Sequence, residues 1–321
     1  MSNSTGTKVI KDRLGGEYSL PIQLVRKSMR ETDNPFIKLC RTYPGQILIA
    51  VITYILFQRI LVKKIVYLIL PPLLKKGIVP TTAITVSLAY FEIFMGIGFI
   101  LFMRFVEGRN FAAMGFIRKN VLSNVLLGYL AGVFLFFVAM ILTVLATGGR
   151  IEWAGTITPG FFLFALLGFL IQSSAEELNG RSYIFLSVSR NHPEWLAALT
   201  SGLIFGLIHL TNKGITPLSV TNIALAGIVF CLAVLLFENV WCVCAAHGAW
   251  NFSQGNIFGL AISGNDPGPS LFKATFNSEN ELLSGGIFGI EGNIVTTCLF
   301  LVIMVLLIFL LKKKAAKRAA A

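Results

Sequence analysis

Charge is what this chain lacks. Asp, Glu, Lys and Arg together make up 13% of its 321 residues, while 55% are hydrophobic and the mean hydropathy is +0.77. An ordinary soluble domain carries about 25% charged residues, so this composition excludes a soluble protein and requires a polytopic membrane protein. Cysteine chemistry is also thin. Cys40, Cys231, Cys242, Cys244 and Cys298 contain no CxxC pair, and an odd count gives no support for a disulfide scaffold. The weak spacing of Cys244 and His247, three apart, is the one pairing of that kind. No HExxH and no GxSxG elbow occurs, which removes the zincin and serine-hydrolase patterns. No apolar stretch follows the basic start, so no cleavable signal peptide is expected.

The net charge of +12 lies in tails and loops, as in KKKAAKR from Lys312 to Arg318, directly after an apolar segment. That placement reads as cytoplasmic flanks against a lipid bilayer, with no nucleic-acid partner.

The expected fold class is all-α, a polytopic transmembrane bundle of about eight spans. The spans are read at roughly 46–69, 82–105, 121–146, 161–188, 195–211, 217–237, 239–257 and 290–311, each near the ~20 residues that cross a hydrocarbon core. Helices are the expected form because lipid satisfies no backbone group. Breaks are expected at Pro71-Pro72, Gly148-Gly149, Pro159-Gly160, His192-Pro193 and Gly214 to Pro217. A polar, Gly-rich connection fills 258–289. Residues 1–44 read as a basic cytoplasmic tail in which LPIQLVRKSMRE has the makings of a short interfacial helix, 45–312 as the bundle with its motif core at 161–257, and 313–321 as a second basic tail. An even number of spans puts both termini in the cytoplasm, with Arg104, Arg109, Arg118 and Lys119 on an inside loop. Lys63, Lys64, Lys75 and Lys76 disagree with that arrangement. Arg59, Lys63 and Lys64 sit where they can snorkel.

Ionisable residues deep in apolar segments carry the functional signal. They are Glu92, Glu176, Glu177, Arg181, His209 and His247. A charge at mid-membrane costs at least ~2.5–3.5 kcal/mol on insertion scales. Glu177 and Arg181 are i, i+4 and share a face, whereas Glu176 points about 100° away. His209 stands four residues after Phe205, and Asn251 four after His247. Counting back from the turn at His192, Glu176 and His209 lie level, ~25 Å deep, with His247 and Asn251 somewhat shallower. Gly202 and Gly206 form a small-xxx-small face beside His209. Glu92, midway in the second span, reads as a structural residue, protonated or hydrogen-bonded to another helix, and His192 reads as a loop residue. A carboxylate with histidines suits the activation of water, and a His or Asn donor suits an oxyanion. Glu176, His209 and His247 are also a zinc ligand set, so these residues leave a metal open.

EELNGR (Glu176 to Arg181), FGLIH (Phe205 to His209) and HGAWN (His247 to Asn251) occur in this order on separate spans. They resemble the EExxxR, FxxxH and HxxxN motifs of the CPBP family of intramembrane proteases, whose members include the CAAX prenyl endopeptidases of the Rce1 type. The resemblance implies an intramembrane endopeptidase acting on a membrane-associated peptide or protein. It implies that Glu176 activates water with help from His209, that His247 and Asn251 form the oxyanion hole, and that Glu177, Arg181 and Phe205 support them. On this reading no cofactor is required, although zinc is possible. Gly180 departs from the family, where an aromatic residue commonly precedes the Arg. The other readings are a catalytically silent scaffold or bacteriocin-immunity-type protein, and a transporter. The basic, Lys/Ala-rich tail and the lack of a signal peptide suit a bacterial plasma membrane.

Overall fold

The computed structural model describes residues 19–28, 33–56, 60, 63–75, 84–277 and 279–320. The reading of Arg59 as a snorkelling cation, and most of the N-terminal tail, lie outside these residues. In chain order the elements are α1 (Leu20–Lys27), α2 (Pro35–Cys40), α3 (Tyr43–Tyr54), α4 (Lys63–Lys75), α5 (Ile84–Phe105), α6 (Val121–Thr147), β1 (Arg150–Trp153) and α7 (Pro159–Glu177). There follow α8 (Leu186–Ser189), α9 (Glu194–Leu207), α10 (Pro217–Phe237), α11 (Trp241–Phe252), β2 (Phe272–Thr275), α12 (Glu281–Ser284) and α13 (Ile294–Ala319). The protein is an all-α membrane bundle.

Among the described residues, five helices are long and apolar enough to cross a membrane: Thr85–Phe105, Val121–Thr147, Pro159–Ser189, Pro217–Phe237 and Ile294–Arg318. Other segments read as spans are shorter helices among the described residues. The segment expected at 195–211 is helical only over the 14 residues of α9, and that at 239–257 over the 12 of α11 plus a π-helical turn. At 1.5 Å per residue, α9 rises only about 21 Å, short of the ~30 Å core. In the first expected span, 46–69, the described residues belong to α3, to π-helical backbone at 55, 56 and 60, and to α4, and the break expected at Pro71-Pro72 falls inside α4.

The caps were set by the local sequence. Thr158 accepts from the Phe161 N–H ahead of α7, Asn293 from Thr296 N–H ahead of α13, and Thr216 forms a capping box with Ser219 ahead of α10. These side chains satisfy N–H groups that the first helical turn leaves open. The main core packs α5, α7, α9, α10 and α11 through residues such as Phe99, Met103, Leu178, Tyr183, Ile204, Val234 and Val243. Ile22 and Val25 of α1 belong to the same core, so this part of the expected solvated tail is docked against the bundle.

Close helix contact positions α11. Gly128 and Gly132 of α6 face the backbone carbonyls of Cys242 and Ala246, and a Cβ at either glycine would overlap those oxygens. α6 therefore lies directly on the α11 backbone. Gly202 and Gly206 of α9 likewise abut the carbonyls of Ala224 and Val220 on α10, as their spacing suggests.

Two features were not legible beforehand. The polar connection contributes β2, which pairs antiparallel with β1 in the register Arg150 to Thr275 and Trp153 to Phe272. Also, α7 does not run on as an ordinary helix. Leu178–Phe185 is π-helical, and all eight residues are buried. Arg109 braces this segment. Expected on a solvated loop, it is instead 1% exposed, 2.6 Å from Glu107, and donates to the Ser182 carbonyl at 2.8 Å and to the Ser187 hydroxyl. At the C-terminus, α13 continues through the basic tail, where Lys314 and Arg318 reach Glu238 in the turn before α11.

Candidate active site

The last turn of α7 presents Glu176 and Glu177 just where the π-helical segment begins. The wide turn is a common device at functional sites because it re-aims the side chains on either side of it. Both carboxylates meet the same imidazole. His247 Nδ1 lies 2.9 Å from Glu177 Oε1, and His247 Nε2 lies 3.8 Å from Glu176 Oε2. A carboxylate acceptor at Nδ1 requires the proton on that nitrogen, which leaves Nε2 directed at Glu176.

Glu177 has a second partner. Arg181 Nε stands 3.0 Å from Glu177 Oε2, and both side chains are completely buried. This is the i, i+4 pair that the spacing implies. The Arg181 guanidinium also lies over two rings, 4.5 Å from the Phe205 centroid and 5.0 Å from that of Phe230. Phe205 therefore stands between Arg181 and two imidazoles: Arg181 covers its face, while its ring meets those of His209 (5.1 Å) and His247 (6.0 Å) near edge-on.

A second chain of contacts joins the other carboxylate to Asn251. Gln172 donates from Nε2 to Glu176 Oε1 at 2.6 Å and accepts from Asn251 Nδ2 at 3.1 Å. Gln172 is one helical turn before Glu176, on the same face. That spacing was the signal by which it could have been found, since a lone amide in an apolar helix needs a partner.

His209 lies just beyond the end of α9, in the turn. Its Nδ1 is 2.7 Å from the Phe205 carbonyl oxygen, so Nδ1 carries a proton and Nε2 is an acceptor in the neutral ring. Glu176, His209, His247 and Asn251 all line one cavity of about 550 Å³. Phe205, Gln172 and Glu92 line it too. Glu177 and Arg181 stay behind the wall. Glu92, read in the sequence as structural, thus belongs to the surroundings of the site. Glu291, which spacing did not single out, also faces this cavity, from the turn that precedes α13.

Among the described residues, no three His, Cys, Asp or Glu side chains converge closely enough to hold a metal ion. Of the zinc set left open above, His247 and His209 each commit Nδ1 to a protein acceptor. The Cys244–His247 pairing is not taken up either, since His247 turns to the two glutamates. Both histidine rings keep Nε2 clear of these bonds, and a ring held through Nδ1 in this way can still ligate through Nε2.

Residues 158–253 match the family model described as Rce1-like, the type II CAAX prenyl endopeptidases. The match covers 96 of the 321 residues, so the similarity to that family is a property of this segment. No curated protein matches it. The matched segment holds α7, the π-helical turn and α9 to α11, and with them every residue that the three motifs name. The Rce1-like family is one of peptidases. Gln172 lies inside the matched segment, whereas Glu92, Arg109 and Glu291 lie outside it.

Proposed function

We propose that the protein is an intramembrane endopeptidase that hydrolyses a peptide bond of a membrane-associated peptide or protein, with a glutamate as the base. The observation that carries this reading is the meeting of Glu176, His209, His247 and Asn251 on one cavity. Its termini are taken as cytoplasmic, on the basic run at the end of α13, and its membrane as a bacterial plasma membrane, on the same basic tail.

A water bound between Glu176 and the acceptor Nε2 of His209 gives a proton to the Glu176 carboxylate. Its oxygen attacks the scissile carbonyl carbon. The carbonyl oxygen becomes the oxyanion, held by the Nδ2–H of Asn251 that Gln172 does not use and by Nε2–H of His247 as imidazolium. One such donor is typically worth 10²–10³ in kcat. The C–N bond then breaks, and Glu176 returns its proton to the leaving amine. Glu177 and Arg181 touch no substrate in this scheme. Glu177 fixes the imidazole through Nδ1, and Arg181 offsets the buried charge of Glu177. Gln172 fixes the base and Asn251 relative to each other.

The test compares wild type with Glu176→Gln in detergent on a library of short lipidated and unlipidated peptides, with and without chelator. Cleavage by wild type alone supports the glutamate mechanism, and chelator resistance supports its metal-free form. Equal behaviour of two folded proteins would sink the peptidase reading and promote the scaffold reading.

A further inference from the structure

The cavity is acidic although the protein is basic. Lys and Arg number 27 against 15 Asp and Glu in the chain. Yet the cavity wall carries Glu92, Glu176 and Glu291, and among the described residues no Lys or Arg lines it. Of these carboxylates, Glu291 has no part in the hydrolysis described above and lies outside the segment that matches the family.

Glu291 is held as a built feature. Its Oε2 accepts from both the backbone N–H (2.7 Å) and the hydroxyl (2.8 Å) of Ser263. Its backbone carbonyl accepts from Asn222 Nδ2 at 2.8 Å, and the same amide group donates to the Asn293 carbonyl at 2.8 Å. Asn293 in turn donates to Thr143 Oγ1 on α6 at 2.9 Å. Gly289, two residues before Glu291, has φ 99°, and a Cβ there would overlap the Ala261 carbonyl. Three helices and a loop thus combine to present one carboxylate to the cavity. Burial pushes that carboxyl above the usual carboxylate range, with the Ser263 hydrogen bonds and, more weakly, the nearby His209 and His247 rings opposing the shift.

A buried carboxylate is costly unless a cation or donors offset it. Glu291 makes no ion pair among the described residues. A second group on the wall points the same way. Asn251 is 2% exposed, and its Oδ1 accepts no hydrogen bond. With the Asn251 and His247 donors given to the oxyanion, the groups left on this wall are acceptors, Glu291 and Asn251 Oδ1, and they suit a ligand that brings donors and positive charge.

We propose that Glu291 is a specificity determinant that holds a cationic group of the substrate, an ammonium or guanidinium, beside the scissile bond. The inference rests on the peptidase reading and adds the substrate class: a peptide with a basic side chain or a free α-amine near the cleavage point. The two sources share one chemistry and separate in the assay.

The assay measures kcat/KM on one peptide carrying Lys, norleucine or Glu at each position in turn, N-acetylated and free. Wild type is expected to favour Lys over norleucine at one position by at least about tenfold, as a charge-assisted hydrogen bond implies. A preference lost only on acetylation assigns the cation to the α-amine. Glu291→Gln is expected to bring the Lys-to-norleucine ratio toward one, and Glu291→Lys to turn the preference toward Glu. Ser263→Ala keeps the charge and is expected to weaken the preference without reversing it, which guards against a Glu291 variant that fails to fold. Equal cleavage of Lys and norleucine peptides by wild type, or an unchanged ratio in folded Glu291→Gln, would overturn the proposal. If no peptide is cleaved, the peptidase reading fails first, and calorimetric titration of Glu176→Gln with the Lys and norleucine peptides decides this one. Tighter binding of the Lys peptide, lost when Glu291→Gln is added, sustains the cation site. Equal or absent binding refutes it.

Discussion

Replacing Arg181 with Met should unfold the site from behind the cavity wall. Arg181 and Glu177 are both fully buried and 3.0 Å apart. Taking away the guanidinium leaves the Glu177 carboxylate with the His247 ring as its remaining close partner. Breaking a buried pair from one side typically costs ~3–5 kcal/mol, because the remaining charge is uncompensated. Loss of the stacking on Phe205 and Phe230 adds about 0.5–2 kcal/mol. The double variant Arg181→Met/Glu177→Gln removes both charges and should be more stable than Arg181→Met alone. A coupling of ~1–3 kcal/mol is expected for residues in such contact. The protein supplies its own reporter: Cys40, Cys231, Cys242 and Cys244 are buried and Cys298 is exposed. In a Cys298→Ser background, a thiol-reactive dye therefore follows unfolding on heating. Arg181→Met should lower the midpoint by on the order of 5–10 °C, and Glu177→Gln should recover part of that loss. Strict additivity of the two substitutions would refute the argument that the pair acts as one buried charge unit.

Gln172→Leu should lower kcat by about 10²-fold with KM little changed, because it releases both Glu176 and Asn251 from their shared anchor; steady-state kinetics on a cleaved peptide check this. Gly132→Leu should destabilise the protein by ~1–3 kcal/mol or more and abolish turnover, since its Cβ overlaps the Ala246 carbonyl next to His247; the same dye assay and peptide cleavage measure it. At the turn before α11, burial raises the Glu238 carboxyl, but the Arg318 hydrogen bond, the Leu20 N–H and Lys314 outweigh it and hold the group below its ordinary value. A carboxylate depressed in the folded state contributes stability above its unfolded pKa and loses it as pH falls through the folded value. Wild type should therefore lose about 0.2–1 kcal/mol more than Glu238→Gln on acidification below about pH 4.5, read as the difference between two melting-versus-pH curves. Coincident curves would count against this tether.

Much of the architecture is written in composition. A chain this apolar must pair every backbone group internally, so its long runs are helices and its polar residues inside them stand out. The i, i+4 spacing of Glu177 and Arg181 on one helix face already implied their pair, and three short motifs in order implied the family. The packing contacts of Gly202 and Gly206 were legible for the same reason, as local periodicity sets a helix face.

Tertiary structure decided what lies between segments. Whether an apolar run of 14 or 17 residues spans the membrane depends on where its helix ends, and α9 stops two residues before His209. Helical periodicity sends Glu176 and Glu177 in different directions, yet the two reach the two nitrogens of one ring, because α11 lies across the place where α7 widens into a π-turn. Arg109 reads as a loop cation in sequence because flanking charge is usually solvated. It is buried because it donates to the Ser182 carbonyl of the π-helical segment and to the Ser187 hydroxyl just beyond it. Glu291 is some forty residues from Asn251 in sequence and joins its cavity through bonds to Asn222 and Ser263 on other segments. Side-chain types and their faces follow from short-range spacing, whereas the partner that satisfies each buried polar group is set by helices meeting in space.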